Sequence, residues 1–295
     1  MGADLFDARD DLLGSRSDDI LGFSLRTLCL DGPEEELIRT EHAQPALFAL
    51  SFALWESVAG SVEPAGSAGH SLGEYTALAA AGVFDFDSGL ALVAERGRAM
   101  GRAARLEDSG MAALLGASRE EADEVCRSRT EMGGRLEVAN VNAPGQVVVA
   151  GGRADLEWLA ETARDLGIRR VIPLNVAGAF HSSFMAPAQD DLSAALAETD
   201  LADPGFPVWS NTTAKPHGPG EIAETLTRQL VEPVLFMESL LDMADHGIET
   251  YVHLGPGDVT AGLARRTVEG AEVLIISDLE GVRSAEEALV SIDRP

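Results

Sequence analysis

The stretch 68-AGHSLGEYTALAAAGVF-84 runs from small residues into Gly69-His70-Ser71-Leu72-Gly73 and then at once into a segment of good helix formers. Gly-x-Ser-x-Gly between an extended segment and a helix is a nucleophile elbow: the flanking glycines let the chain turn sharply and present the serine hydroxyl at the helix N-terminus. The amide of the next residue, Leu72, then faces a developing oxyanion, helped by the positive end of the helix dipole. The preceding "SVEPAGSAG" lacks the β-branched run that usually leads into an elbow, so the pentapeptide has to be read with its surroundings.

N-terminal to about Leu106 the chain reads as helices broken by short turns. "PALFALSFALWESVA" is apolar on every face and suits a buried helix, whereas "SGLALVAERGRAM" is amphipathic. From Met111 the pattern changes to "MAALLG" (strand), "SREEADEVCRSR" (helix), "RLEVANVN" and "GQVVVAGG" (strands), "ADLEWLAETARDLG" (helix) and "RRVIPLNV" (strand). Ser118 with Glu121 forms a capping box, Pro144-Gly145 makes the turn between the middle strands, and Gly167 stops the second helix. This β-α-β-β-α-β order is ferredoxin-like. Beyond Val176, "FPVWSNTT" and "ETYVHLGPG" read as strands, with helices from about Ala186, Glu221, Phe236 and Asp258. The expected fold class is α/β: an α/β-hydrolase-like body with a parallel sheet, residues 1–107 and 178–295, interrupted by a small ferredoxin-like subdomain, residues 108–177.

With 295 residues and 45% apolar composition the chain can bury a sizeable core. Its apolar runs fall short of the roughly 20 residues a membrane span needs, and no signal-like segment opens it, which predicts a soluble, cytoplasmic protein. Cys29 and Cys126 lie far apart with no metal-ligand spacing, so no disulfide framework and no metal site are expected. A formal charge of -27, with Lys215 the only lysine, argues against sequence-independent nucleic-acid binding; an anionic substrate has to meet a local basic patch.

A serine nucleophile needs a base, and six histidines are available: His42, His70, His181, His217, His246 and His253. His70 adjoins Ser71 and should point away from it. His181 sits in the small-residue loop "VAGAFHSSFM", while the order usual in α/β-hydrolases points to the late His253. Spacing does not choose between them.

The motifs "GHSLGEYTALAAAG", the "RG" of "LVAERGRAM", "NAPGQVVVAG", "GAFHSSFMAPA", "RQLVEPV" and "HLGPGDVTAGL", in this order, resemble the malonyl-CoA:acyl carrier protein transacylases and the discrete acyltransferases of polyketide synthases. The resemblance spans nearly the whole chain and implies the same architecture. It implies Ser71 as the acylated nucleophile, Leu72 as oxyanion donor, His181 as base, and the main-chain carbonyl of Gln229 as the group that orients the imidazole. It implies Arg96 as the ligand of malonate's free carboxylate, a task suited to a planar guanidinium with two parallel donors, and Phe180 as the variant associated with malonyl rather than methylmalonyl substrates. Malonyl-CoA and an acyl carrier protein are then the expected partners, in fatty acid or polyketide biosynthesis, with no cofactor and a monomer as the default state. Arg98, Arg169, Arg170, Arg265 and Arg266 are candidates for meeting CoA phosphates or an acidic carrier. Family members open on a strand ending in Gly-Gln-Gly-Ser-Gln, whose glutamine amide supplies a second oxyanion donor. No such motif occurs here, and "MGADLFDA" resembles the segment that follows it; the expectation is either a late or truncated start, or an oxyanion hole and core strand rebuilt from elsewhere. Two other readings stay open, an editing acyl hydrolase or carrier-to-carrier transferase on the same fold, and a non-catalytic docking protein.

Overall fold

The computed structural model describes residues 1–292. The helix Thr40–Val58, predicted to be buried from its all-round apolarity, runs through the main core and carries Phe48, Leu50 and Leu54 with no exposed surface. It packs against the amphipathic helix Phe86–Ala104, whose N-terminus is capped by Asp85 accepting from the amide of Ser88 at 2.9 Å. Gly97 lies where the two helices meet: a Cβ there would stand 2.8 Å from the carbonyl oxygen of Thr40. Only a glycine lets the helices come this close, and the contact sets Gln44 beside Arg96.

The body's parallel pairs are short. Strand β1 (Ser67–Ala68) leads into the elbow, and after the insert it pairs with β6 (Val208–Trp209); β8 (Thr250–Leu254) pairs in parallel with β9 (Glu272–Ile276). Between β1 and β6 come β2 (Ser109–Leu115), β3 (Leu136–Ala143), β4 (Gln146–Gly152) and β5 (Arg170–Pro173). They form an antiparallel sheet in the order β5-β2-β4-β3, with helices Arg119–Glu131 and Arg153–Thr162 as the crossovers. This is the ferredoxin-like arrangement that the β-α-β-β-α-β pattern predicts. Its local devices are in place: the Ser118/Glu121 capping box is closed in both directions, and Gly145 and Gly167 take φ of 70° and 83°. One link was not anticipated. β7 (Val234–Leu235) adds to β3 in parallel and ties the insert's sheet to the segment that follows Gln229. A separate apolar cluster around Leu114, Val149 and Leu159 fills the space under the insert's helices.

Candidate active site

Gly69 is the residue that makes the elbow possible. A Cβ at position 69 would lie 1.9 Å from the carbonyl carbon of Gly73, whereas a Cβ on Gly73 would meet nothing within 4 Å. The sequence reading gave both glycines the same task; the steric demand falls on the first. Ser71 itself adopts φ 52°, in the left-handed region that non-glycine residues seldom occupy. Its amide donates to Asn211 Oδ1 at 2.7 Å, and Asn211 Nδ2 donates to the carbonyl of Gly69 at 2.7 Å, so one buried side chain fastens the turn from both ends. The amide of Leu72 has no acceptor among the described residues and is free to serve an incoming oxygen.

His181 lies 110 residues further along the chain, and its Nε2 stands 2.8 Å from Ser71 Oγ. It too is left-handed, at φ 57°. The loop before it is pinned by Ser109 Oγ, which accepts from the amide of Ala179, and by Ser182 Oγ, which donates to the carbonyl of Ala179. On its other side, His181 Nδ1 lies 2.7 Å from the main-chain oxygen of Gln229. Gln229 ends the helix Ile222–Gln229, where main-chain carbonyls lack intrahelical partners. A carbonyl can only accept, so the proton sits on Nδ1 and leaves Nε2 as a lone-pair acceptor for the serine hydroxyl. Arg96 completes the group. Its Nη2 donates to Ser71 Oγ at 3.0 Å and to Gln229 Oε1 at 2.8 Å, and Nη1 donates to Gln44 Oε1 at 2.6 Å.

His181 and Arg96 are almost fully buried, at 4% and 1% exposure. Burial, reinforced by the charge of Arg96, pushes the His181 imidazole down to about 3, while the Gln229 carbonyl opposes the shift. The imidazole is therefore neutral throughout the physiological range. Because the folded value lies below the unfolded value of about 6.5, the imidazole's contribution to stability is intact above that pH and is lost as pH falls toward the folded value. The expected kinetic outcome is a profile of kcat/KM against pH with no acid limb near 6.5: acylation rates at pH 7 and pH 5.5 agree within about twofold. A limb centred between pH 6 and 7 in the free enzyme contradicts this environment for His181.

The structure thus brings Ser71, His181, Gln229, Arg96 and the Leu72 amide together. Phe180, adjacent to His181, is half-buried against the main core. His253 is engaged elsewhere, with Thr260 Oγ1 at 2.5 Å and the oxygen of Gly255 at 3.2 Å, and His70 points away from the serine toward Asn142 Oδ1 at 2.7 Å. Arg98 pairs with Glu95 at 3.0 Å. Arg169, Arg170, Arg265 and Arg266 are exposed and make no ion pair among the described residues. Sequence reasoning missed Gln44, Glu74 and Asn211. Glu74 follows Ser71 by three residues and was visible as a carboxylate at the start of the elbow helix; nothing local marked the other two. Among the described residues no cluster of His, Cys, Asp or Glu could hold a metal ion, and no helix is long and apolar enough to cross a membrane.

An α/β body with a serine elbow facing a histidine across the chain defines a class of proteins built for acyl chemistry on a hydroxyl. Within that class the chain belongs to the acyl transferase domain family, whose model matches residues 3–285. It is 38% identical to the malonyl CoA-acyl carrier protein transacylase of Bacillus subtilis (strain 168) over 94% of this chain and 88% of that protein. It is 36% identical to the protein of the same name from Haemophilus influenzae, over 93% and 89%. Among solved structures, the malonyl CoA-acyl carrier protein transacylase of Clostridium perfringens superposes with a TM-score of 0.93 at 32% identity, covering 99% of this chain and 93% of that one. A type II PKS acyl-carrier protein in complex with its malonyl-transacylase matches with a TM-score of 0.91 at 34% identity, over 97% and 94%.

Proposed function

We propose that this chain is an S-malonyltransferase that moves a malonyl group from malonyl-CoA to the phosphopantetheine thiol of an acyl carrier protein, by way of an ester on Ser71. The observation that carries the reading is the convergence on Ser71 Oγ of a neutral imidazole at 2.8 Å and a buried guanidinium at 3.0 Å. The first accounts for nucleophilic attack and the second for selection of an acyl group that ends in a carboxylate. His181 Nε2 takes the hydroxyl proton as Oγ bonds to the thioester carbon, and the Leu72 amide faces the oxygen that becomes negative. The carbon–sulfur bond breaks, and the imidazolium returns its proton to the departing CoA sulfur. In the second half His181 takes the proton of the carrier's thiol, sulfur attacks the ester carbon, and Oγ leaves with that proton. The order is ping-pong and needs no cofactor.

Arg96 holds the malonyl carboxylate in both halves, and Phe180 limits the space beside the carbon that methylmalonyl would substitute. We take residues 1–107 and 178–295 as the catalytic body and 108–177 as an insert placed just before the His181 loop. A monomer acting in the cytoplasm, where a CoA thioester is available, and supplying fatty acid or polyketide synthesis fits this reading. The exposed Arg169, Arg170, Arg265 and Arg266 remain available for CoA phosphates or an acidic carrier protein. An editing hydrolase on the same scaffold is disfavoured by Arg96, which would face an apolar tail without a partner.

The test is intact-protein mass after brief incubation with malonyl-CoA and, separately, acetyl-CoA. The expected result is a gain of one malonyl group, which is lost on adding an acyl carrier protein bearing phosphopantetheine, with little acetyl adduct. No adduct, or equal labelling by both donors, overturns the proposal.

A further inference from the structure

Glu74 has no exposed surface and touches none of the reacting atoms, yet it is hydrogen-bonded to both Gln229 and Asn211, the residues that hold Arg96 and the Ser71 turn. Its Oε2 accepts from Gln229 Nε2 at 2.6 Å and from the amide of Asn211 at 3.1 Å. Its Oε1 faces His217 Nε2 at 2.8 Å, and His217 Nδ1 lies 3.1 Å from Thr225 Oγ1. The His217 side chain is likewise fully buried. This carboxylate–histidine pair takes no part in the chemistry described above, and a buried carboxylate with no arginine or lysine in ion-pair contact among the described residues needs a reason to be there.

The reason lies in the Gln229 side chain. Its amide has two ends that differ only in being donor or acceptor, and rotation about the last bond exchanges them. A carboxylate only accepts, so Glu74 draws the amide nitrogen toward itself. The oxygen is then left facing Arg96, which only donates. The same nitrogen also donates to the carbonyl of Ser71 at 3.0 Å. In the reverse orientation oxygen would face carboxylate and nitrogen would face guanidinium. Both contacts would become repulsive, and Arg96 Nη2 would lose the acceptor that holds it beside Ser71 Oγ.

We propose that Glu74 is a positioning residue whose buried carboxylate fixes the orientation of the Gln229 side-chain amide, and through it the place of the Arg96 guanidinium that selects a carboxylate-bearing acyl group. The inference rests on the malonyltransferase reading. It assigns Gln229 two separate tasks, a main-chain carbonyl for the base and a side-chain carbonyl for the selectivity arginine.

The test compares Glu74→Gln with Glu74→Met, reading the ratio of kcat/KM for malonyl-CoA over acetyl-CoA, alongside the rate at which a fluorophosphonate labels Ser71. In Glu74→Gln the new oxygen can still accept from Gln229 and Asn211. Its nitrogen can donate to His217 once the imidazole adopts its other tautomer, so the malonyl preference is retained. In Glu74→Met only the Ser71 carbonyl and Arg96 itself still favour this orientation of the Gln229 amide, and with the carboxylate's hold gone the preference falls by about 10-fold, the lower end of the loss expected for a hydrogen bond to a charged group. Phosphonate labelling continues, because His181 depends on the main-chain carbonyl. A Glu74→Met protein that labels normally and keeps the full preference overturns the inference, as does a Glu74→Gln protein that loses it to the same degree as Glu74→Met. If Glu74→Met does not fold, Gln229→Met carries the test: it keeps the carbonyl but removes the acceptor for Arg96, and an unchanged preference is again fatal. A wild-type protein with no malonyl preference sinks the functional reading instead, whatever the variants do.

Discussion

Replacing Ser71 by alanine is expected to eliminate the malonyl adduct and to lower carrier-dependent transfer by about 10,000-fold or more, the loss typical of removing a catalytic nucleophile. The change deletes one oxygen and leaves the turn intact. Gly69 still closes against Gly73, and the amide of residue 71 still donates to Asn211. Arg96 keeps its bonds to Gln44 and Gln229, and His181 keeps its bond to the Gln229 carbonyl. The variant should therefore melt within a few degrees of the parent, so that lost transfer reports chemistry and not unfolding. Mass spectrometry and a transfer assay on the same preparation check both halves. A malonyl adduct that persists on the alanine variant means that another residue is acylated and that the serine–histidine contact at 2.8 Å serves a different end.

How much of this was legible in the sequence follows from how local each signal is. The elbow was readable because its demand is steric and lies within five residues, and the insert because helix caps, turn glycines and strand alternation all occur within single elements. What escaped was set by contacts between distant segments. β1 is two residues long and exists only through β6, which lies about 140 positions later; β7 is held by β3 and has no pattern of its own. The choice between His181 and His253 could not be made from spacing, since the serine–imidazole contact bridges 110 residues; the family resemblance pointed to His181, which stands beside Ser71 Oγ. Asn211 and Gln44 resemble any polar residues in sequence; they matter because they meet Ser71 and Arg96 at separations of 140 and 52 residues. Gln229 was expected to matter through its carbonyl alone. Its side chain proved to be buried between two charged groups, Glu74 and Arg96, a placement that helix periodicity cannot report.

The second large effect is expected at Arg96. Its guanidinium is buried, and among the described residues it has no carboxylate in ion-pair contact: the acceptors are Gln44, Gln229 and the Ser71 hydroxyl, with the Tyr75 ring 5.2 Å from its central carbon. Its Nε has no hydrogen-bond partner among the described residues. Burial holds its pKa below the usual arginine value, yet guanidinium stays charged in proteins, so the site holds an incompletely compensated cation beside the nucleophile. An acyl group ending in a carboxylate supplies the missing charge, and one ending in a methyl group leaves it unpaired. Breaking such a buried pair costs about 3–5 kcal/mol, so Arg96→Ala should lower the malonyl-over-acetyl ratio of kcat/KM by about 150- to 5000-fold. The loss should fall almost entirely on malonyl-CoA, with acetyl-CoA turned over as well as before or better. The same substitution carries an internal control. Arg96 is the second-largest cause, after burial, of the low His181 pKa, so its removal should move the acid limb of the acetyl-CoA profile upward but only part of the way to 6.5. A ratio that does not change places the malonyl carboxylate elsewhere. A ratio that collapses while the acid limb stays fixed leaves Arg96 in the pocket but separates its charge from the base.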